Sequence, residues 1–360
     1  MQLLERKEIY WIDIVKIIGL FMVSYAHIII FGTYGLESFR IFPAEFLTQP
    51  LIPVGTQSIW KIDAFIFNHI KTEAGVIGVI LFFLCSGYFI PYLQEKYNQK
   101  ELPRLFFERL LKFWPYTFFC VFLCGILMYF WQGTIFSKKD YLFTALLCGT
   151  FVPTTTTMGV MWFMLVLVFA YLLASIFRKF TLKNLLYADA VLFLIMTLDF
   201  ACRNTPMQAV YDRLVYVARF TGILFIGTAF KLSENKKIIT RLFITLFYTV
   251  LAYILVKTGE SVSNSPSSYS NVFSYVEVAC IIGIVRLIDY VFPTLYKSCS
   301  KIIKFFNGIF FTFYLLHVHF GFALLYFFRK HSMNSYISVL LTYIIVILLA
   351  YGGGILLTLY

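Results

Sequence analysis

Long apolar runs, broken by short clusters of basic, polar and aromatic residues, set the pattern of the chain. A helix needs about 20 mostly apolar residues to cross the hydrocarbon core of a bilayer. Runs of that kind lie at 10–32, 74–93, 110–131, 160–177, 184–200, 214–230, 238–257, 272–290, 305–327 and 336–358. The pattern predicts an all-α integral membrane protein of about ten transmembrane helices, forming one domain over 1–360. The apolar stretch 141–152 is too short to cross and reads as re-entrant or interfacial, ahead of a loop at Pro153–Thr157. The longest connection, roughly 33–73, reads as an outer segment, and the Ser- and Asn-rich 258–271 as an outer loop. No internal repeat of the inverted-topology kind is visible.

Composition sharpens this picture. Hydrophobic residues make up 60% and charged residues 13%, and the mean hydropathy is +0.81. Soluble globular chains carry about 25% charged residues, so an ordinary soluble enzyme, a disordered chain and a basic nucleic-acid-binding domain are all excluded. The net charge of +12 then reads first as a topology signal, because cytoplasmic loops collect Lys and Arg. With the N-terminus inside, 19 of the 30 basic residues fall in inner segments, among them Lys16, Arg104, Arg109, Lys112, Lys231, Arg241 and Arg286. Outer segments hold 10, and Arg219 sits inside a run. Both termini are therefore expected on the cytoplasmic side of a multi-pass protein of the inner cell membrane. The cysteines lie mostly inside apolar runs and form no C-x-x-C pair, so neither a disulfide framework nor a metal site is expected. The first run lacks a cleavage site and reads as a span rather than a signal peptide.

Ionisable residues inside a span are functional candidates by default. The first run carries Asp13, Lys16 and His27. At 100° per residue all three share one face, and helix rise separates Lys16 from His27 by ~16 Å along the axis. A cation at the inner mouth and an imidazole deep on the same stripe suit a long anionic cofactor entering from the cytoplasm. The same residues are also consistent with an interfacial Asp13–Lys16 pair and a packing histidine. Arg109 and Lys112 share a face at the opening of the third run, just after Arg104, in a position to hold phosphates. There too, an ordinary positive collar is the alternative. Ser86-Gly87 permits close helix approach, and Tyr88 presents a hydroxyl. Trp162-Phe163 opens the fourth run, where an aromatic belt is expected. In the ninth run, His317 and His319 point about 200° apart and cannot form an i,i+4 metal pair, whereas Tyr314 and His317 share a face.

Together these motifs resemble the membrane acyltransferase-3 family. The resemblance rests on Asp13-x-x-Lys16 followed after ten residues by His27, on Phe82-Phe83-x-x-Ser86-Gly87-Tyr88, and on Arg109-x-x-Lys112-Phe-Trp-Pro115. Weaker matches follow at Trp162-Phe163, Leu224-Phe225-x-Gly227 and Tyr314-x-x-His317. Lys16 and Lys112 stand where Arg is more usual, which keeps the charge and loses the bidentate fork. The resemblance implies the stand-alone form, similar to surface-polysaccharide O-acetyltransferases. It implies acyl-CoA, most often acetyl-CoA, as cytoplasmic donor, no metal, and a lipid-linked or cell-surface glycan as acceptor. Lys16, Arg104, Arg109, Lys112, Ser86 and Tyr88 would then hold the donor. His27 would be the general base or carry a transient acyl group, with Asp13, Trp162, Tyr314 and His317 in support. A polysaccharide exporter or flippase is the competing class. The charges cluster in the inner half of three early runs, with no chain of acidic groups crossing the bilayer, which counts against transport.

Overall fold

The computed structural model describes residues 10–30, 74–97, 101–132, 136–147, 160–177, 179–263 and 268–358. The readings of 33–73 and of Pro153–Thr157 lie outside these residues, as do positions 264–267 of the 258–271 loop. Among those described there is no strand. The main helices are α1 (Tyr10–Tyr25), α2 (Ala74–Glu95), α3 (Leu102–Gln132), α4 (Lys138–Ala145), α5 (Met161–Ile176), α6 (Leu182–Thr197), α7 (Gln208–Leu232), α8 (Ile238–Ser263), α9 (Val272–Val291), α10 (Pro293–Ser298), α11 (Ser300–Lys330) and α12 (Ser335–Thr358). Among the described residues, seven segments are long and apolar enough to cross a membrane: α1 with its extension, α2, α3, α7, α8, α11 and α12. The protein is therefore a multi-pass integral membrane protein. A helix satisfies its own backbone hydrogen bonds, which is why apolar runs in lipid adopt it.

Several helices outrun the apolar stretches that predict them. α3 begins eight residues before position 110, with Pro103 in its first turn and an Arg104–Glu108 ion pair of 2.7 Å along its exposed face. Helical hydrogen bonding continues past the bilayer edge, whereas apolarity marks only the part inside it. The short apolar stretch after position 140 opens as α4, capped by reciprocal Ser137–Asp140 hydrogen bonds. α4 packs on α3, where the Thr117 hydroxyl donates to the Ala145 carbonyl at 3.2 Å. Positions 148–152 of that stretch are outside the described residues.

Two glycine contacts bring the central helices close. On α1 and α2, a Cβ at Gly78 would lie 2.6 Å from the Gly19 carbonyl oxygen. On α2 and α7, a Cβ at Gly87 would run into the Leu224 carbonyl, and one at Gly227 into the Leu84 carbonyl. The bared Gly87 carbonyl accepts from the Thr228 hydroxyl at 2.9 Å. Small residues at such crossings let backbones meet and raise the packing gain in lipid. Gly87 and Gly227, which the sequence shows as two separate motifs, are thus two sides of one contact.

Side-chain contacts close a ring of five helices, α1–α2–α5–α3–α11. Its seams are Gly19 on Gly78, Phe82 beside Phe163 (5.7 Å between ring centroids), Phe113 beside Tyr171 (6.1 Å), Phe113 beside Phe311 (5.5 Å) and Lys16 beside Asn307. α1 and α11 run parallel, since Lys16 meets Asn307 and His27 meets His317. α7 packs on the outside of α2, with α6 and α8 beyond it.

Candidate active site

His27 does not sit on regular α-helix. After Tyr25 the chain widens into a π-helical turn, Ala26–Ile30, a local distortion common at functional positions. The turn places the His27 ring against α11, 5.1 Å from the ring of the fully buried His317. His27 Nδ1 lies 2.9 Å from the Val23 carbonyl and 3.2 Å from His317 Nε2, and His317 Nδ1 lies 2.7 Å from the Tyr314 carbonyl. A carbonyl oxygen only accepts, so in the neutral rings both Nδ1 atoms carry the proton. His317 Nε2 then accepts from His27 Nδ1–H, and the His27 lone pair sits on Nε2. The Val23 and Tyr314 carbonyls thereby set the two tautomers, and the His27 Nδ1–H, shared between the Val23 carbonyl and His317 Nε2, orients the His27 ring. His317 is itself held by the stacked Phe313 ring at 6.0 Å and by Tyr314, whose hydroxyl reaches the Val160 carbonyl at 3.4 Å. His319 is buried on a different face.

Toward the other end of the same ring, Lys16 Nζ donates to Asn307 Oδ1 at 3.4 Å and lies 4.1 Å over the Phe310 ring. Lys16 and Asp13 are both electrostatic neighbours of Cys85 on α2. Ser86 is half-buried, one helical turn from Phe82 on the inner face of α2. Arg109 is half-buried beside Tyr171 of α5 and Tyr97. The Tyr97 phenol is pushed up by burial and by the Glu108 carboxylate it donates to, which keeps it a donor. Arg104 is exposed and ion-paired with Glu108, and Lys112 is exposed. Among the described residues, no group of three His, Cys, Asp or Glu side chains is placed to share a metal ion.

His27 and His317 are thus held together at one level of the helix ring, with Lys16 about three turns away along α1. The model of the acyltransferase-3 family, described as an acyltransferase domain, matches residues 9–359. The chain belongs to the acyltransferase-3 family. Searches of curated proteins and of solved structures give no match.

Within this acyltransferase-3 chain, two expected site residues stand apart from the ring. Tyr88 faces α7, where its hydroxyl donates to Glu234 at 2.5 Å. Glu234 also pairs with Lys231 at 2.6 Å, and Arg286 lies over the Trp11 ring at 4.8 Å. Tyr88, whose ring also packs 5.5 Å from that of Trp11, thus belongs to a network between α1, α2, α7 and α9. The spacing Ser86-Gly87-Tyr88 puts the two polar side chains about 200° apart on a helix, which accounts for the separation. Trp162 likewise faces α7, with its ring 5.7 Å from Tyr216 and 5.1 Å from Phe220. Sequence reasoning missed Asn307 and Phe310, which carry no motif of their own. It also missed Asp189, 2% exposed within α6 with Oδ2 lacking a hydrogen-bond partner. A buried carboxylate inside a span is a signal that inspection of the 184–200 run for ionisable residues would have found.

Proposed function

We propose that the protein is a membrane O-acyltransferase of the inner cell membrane that moves an acyl group, acetyl by preference, from cytoplasmic acyl-CoA to a hydroxyl of a lipid-linked or cell-surface glycan. Membership of the acyltransferase-3 family supports the reaction class. The observation that carries the finer reading is the His27–His317 pair, because it leaves an imidazole lone pair on Nε2 of a residue within the membrane. In the proposed reaction His27 Nε2 takes the proton of the acceptor hydroxyl as that oxygen attacks the thioester carbonyl. The C–S bond breaks, the C–O ester bond remains, and the proton passes from Nε2 to the departing thiolate. His317 acts through His27, as a positioning residue that accepts from Nδ1–H and spreads the charge that develops on the ring.

Lys16, with Asn307 beside it, and Arg109 are the residues proposed to hold the donor's phosphate-bearing end, the pantetheine arm running along the ~16 Å stripe to His27. Arg104 and Lys112 would guide the approach from the surface. In this reading α5, α6 and α9 also cross the bilayer, which completes ten crossings and leaves both termini cytoplasmic.

The deciding experiment is incubation of purified protein with labelled acetyl-CoA and host glycan. Acceptor-dependent CoA release is expected, and its absence with glycan movement across proteoliposomes would favour an exporter. Lys16→Gln and Arg109→Ala should each weaken acyl-CoA binding by about 10–100-fold, the range of a lost charge-assisted hydrogen bond. Unchanged affinity by calorimetry would remove that residue from the donor site. His317→Leu should lower kcat about 10–100-fold with KM little changed, and His317→Gln, which restores an acceptor, should recover part of it. Equal losses in the two variants would deny His317 its role.

A further inference from the structure

Arg219 lies in the middle of α7's apolar sequence, yet only 4% of it is exposed. Its guanidinium carbon stacks 4.6 Å from the Tyr216 ring centre and 4.8 Å from that of Phe220. Its Nε and Nη1 have no hydrogen-bond partner. Its remaining support comes from Tyr216, which hydrogen-bonds to it, and from the electrostatic attraction of Glu260 on α8, itself paired with Lys257 at 3.2 Å. Room for the side chain is made by Gly259 of α8, where a Cβ would lie 3.1 Å from the Arg219 Cβ and Cδ atoms. Ring stacking offsets part of the cost of a buried cation, but it leaves two fixed N–H donors unused in a low-dielectric setting, which is costly.

The surroundings are those of a sugar site. Trp162, Tyr216, Phe220 and Tyr269 form a cluster with ring centroids 4.8–6.2 Å apart, and all but Phe220 are partly exposed. Aromatic faces of this kind pack on the apolar faces of pyranose rings. The cluster also borders the reaction centre. Phe163, next to Trp162 in sequence, packs 5.2 Å from Tyr314, which packs 5.7 Å from His317. The Tyr216 and Tyr314 hydroxyls are close enough to interact electrostatically.

We infer that Arg219 and this aromatic cluster form the acceptor subsite, and that the glycan they take is acidic, with a carboxylate or phosphate oxygen accepting from the guanidinium. The inference rests on the acyltransferase reading and adds the class of acceptor to it. An Arg fork matches both anions, and the neighbouring rings supply the sugar contact that a simple anion would not use.

The test needs no acyl donor, so its outcome is independent of whether CoA is released in the transfer assay. The unfolding midpoint of the purified full chain in detergent is measured with glucuronate, glucose 1-phosphate, neutral glucose and sodium chloride at matched ionic strength. A rise of a few degrees is expected with at least one acidic sugar and not with glucose or chloride. The sugar that gives it identifies the acid. In Arg219→Met the rise should vanish while the ligand-free chain still unfolds near the wild-type midpoint, since the methionine fills the same space and removes two buried donors that have no hydrogen-bond partner. Arg219→Lys should show a reduced rise, and it decides the matter if the Met variant is not recovered. A flat wild-type response, an equal rise with chloride, or an undiminished rise in either variant would overturn the inference.

Discussion

His27→Ala is expected to lose about 10²–10⁴-fold in acyl transfer, the range that a positioned general base contributes. Expression, membrane insertion and acyl-CoA binding should be little changed. The ring is only half-buried, and Lys16 and Asn307, about three helical turns away, do not depend on it. The effect should exceed that of His317→Leu, because His317 reaches the chemistry only through His27 Nδ1. Mass spectrometry of the surface glycan from cells carrying the variant is the direct readout, and normal acylation there would sink the proposal. A second measurement separates the two routes open to an imidazole. Protein exposed to labelled acetyl-CoA without acceptor, then denatured, should carry no label if transfer is direct. Label retained by the wild type and lost in His27→Ala would instead establish an acyl-imidazole intermediate.

The second large effect is on folding. Gly227→Leu and Gly87→Leu should each sharply reduce the monodisperse, folded fraction recovered in detergent. At both positions an added Cβ meets the backbone of the facing helix, and backbone, unlike the far end of a flexible side chain, cannot swing away. Over-packing in an ordinary core costs about 1–3 kcal/mol. Here a Leu must push α2 and α7 apart along their crossing and break the Thr228–Gly87 hydrogen bond of 2.9 Å. Against a total stability of about 5–15 kcal/mol, that is enough to show as lost protein. Gly283→Ala is the control, since nothing lies within 4 Å of a Cβ there, and its recovery should match the wild type. Equal recovery of all three would mean that the α2–α7 contact is not a determinant of the fold.

The positions of the long helices could be read from the sequence because lipid imposes one requirement, an apolar length, that a linear pattern displays. The stripe from Lys16 to His27 could be read for a related reason. Residues on one helix face are fixed by a known angle, and the π-helical turn begins only at Ala26, too late to rotate Lys16 away. Pairings between distant runs were not accessible in the same way. Across the 290-residue separation of His27 and His317 there is no local sign that the two rings meet, and lipid-facing Phe and Tyr look the same in sequence as those at a helix seam. Tyr88 shows the limit most clearly. Its place in a motif suggested a shared task with Ser86, while its angle on α2 sends it to Glu234. Arg219 was visible as a charge in an apolar run, but its setting depends on α5 and α8, which no single run reveals.

The parallel contact of α1 with α11 also sets a schedule for assembly. His317 is synthesised 290 residues after His27. At about 5–20 residues per second, His27 waits roughly 15–60 s for its partner to leave the ribosome. During that interval α1 can dock on α2 through Gly19 and Gly78, while the face bearing Lys16 and His27 lacks α11. The nascent protein is therefore inserted well before it is competent, and a chain cut short before α11 would lie in the membrane with a donor-binding lysine and an imidazole but no oriented base.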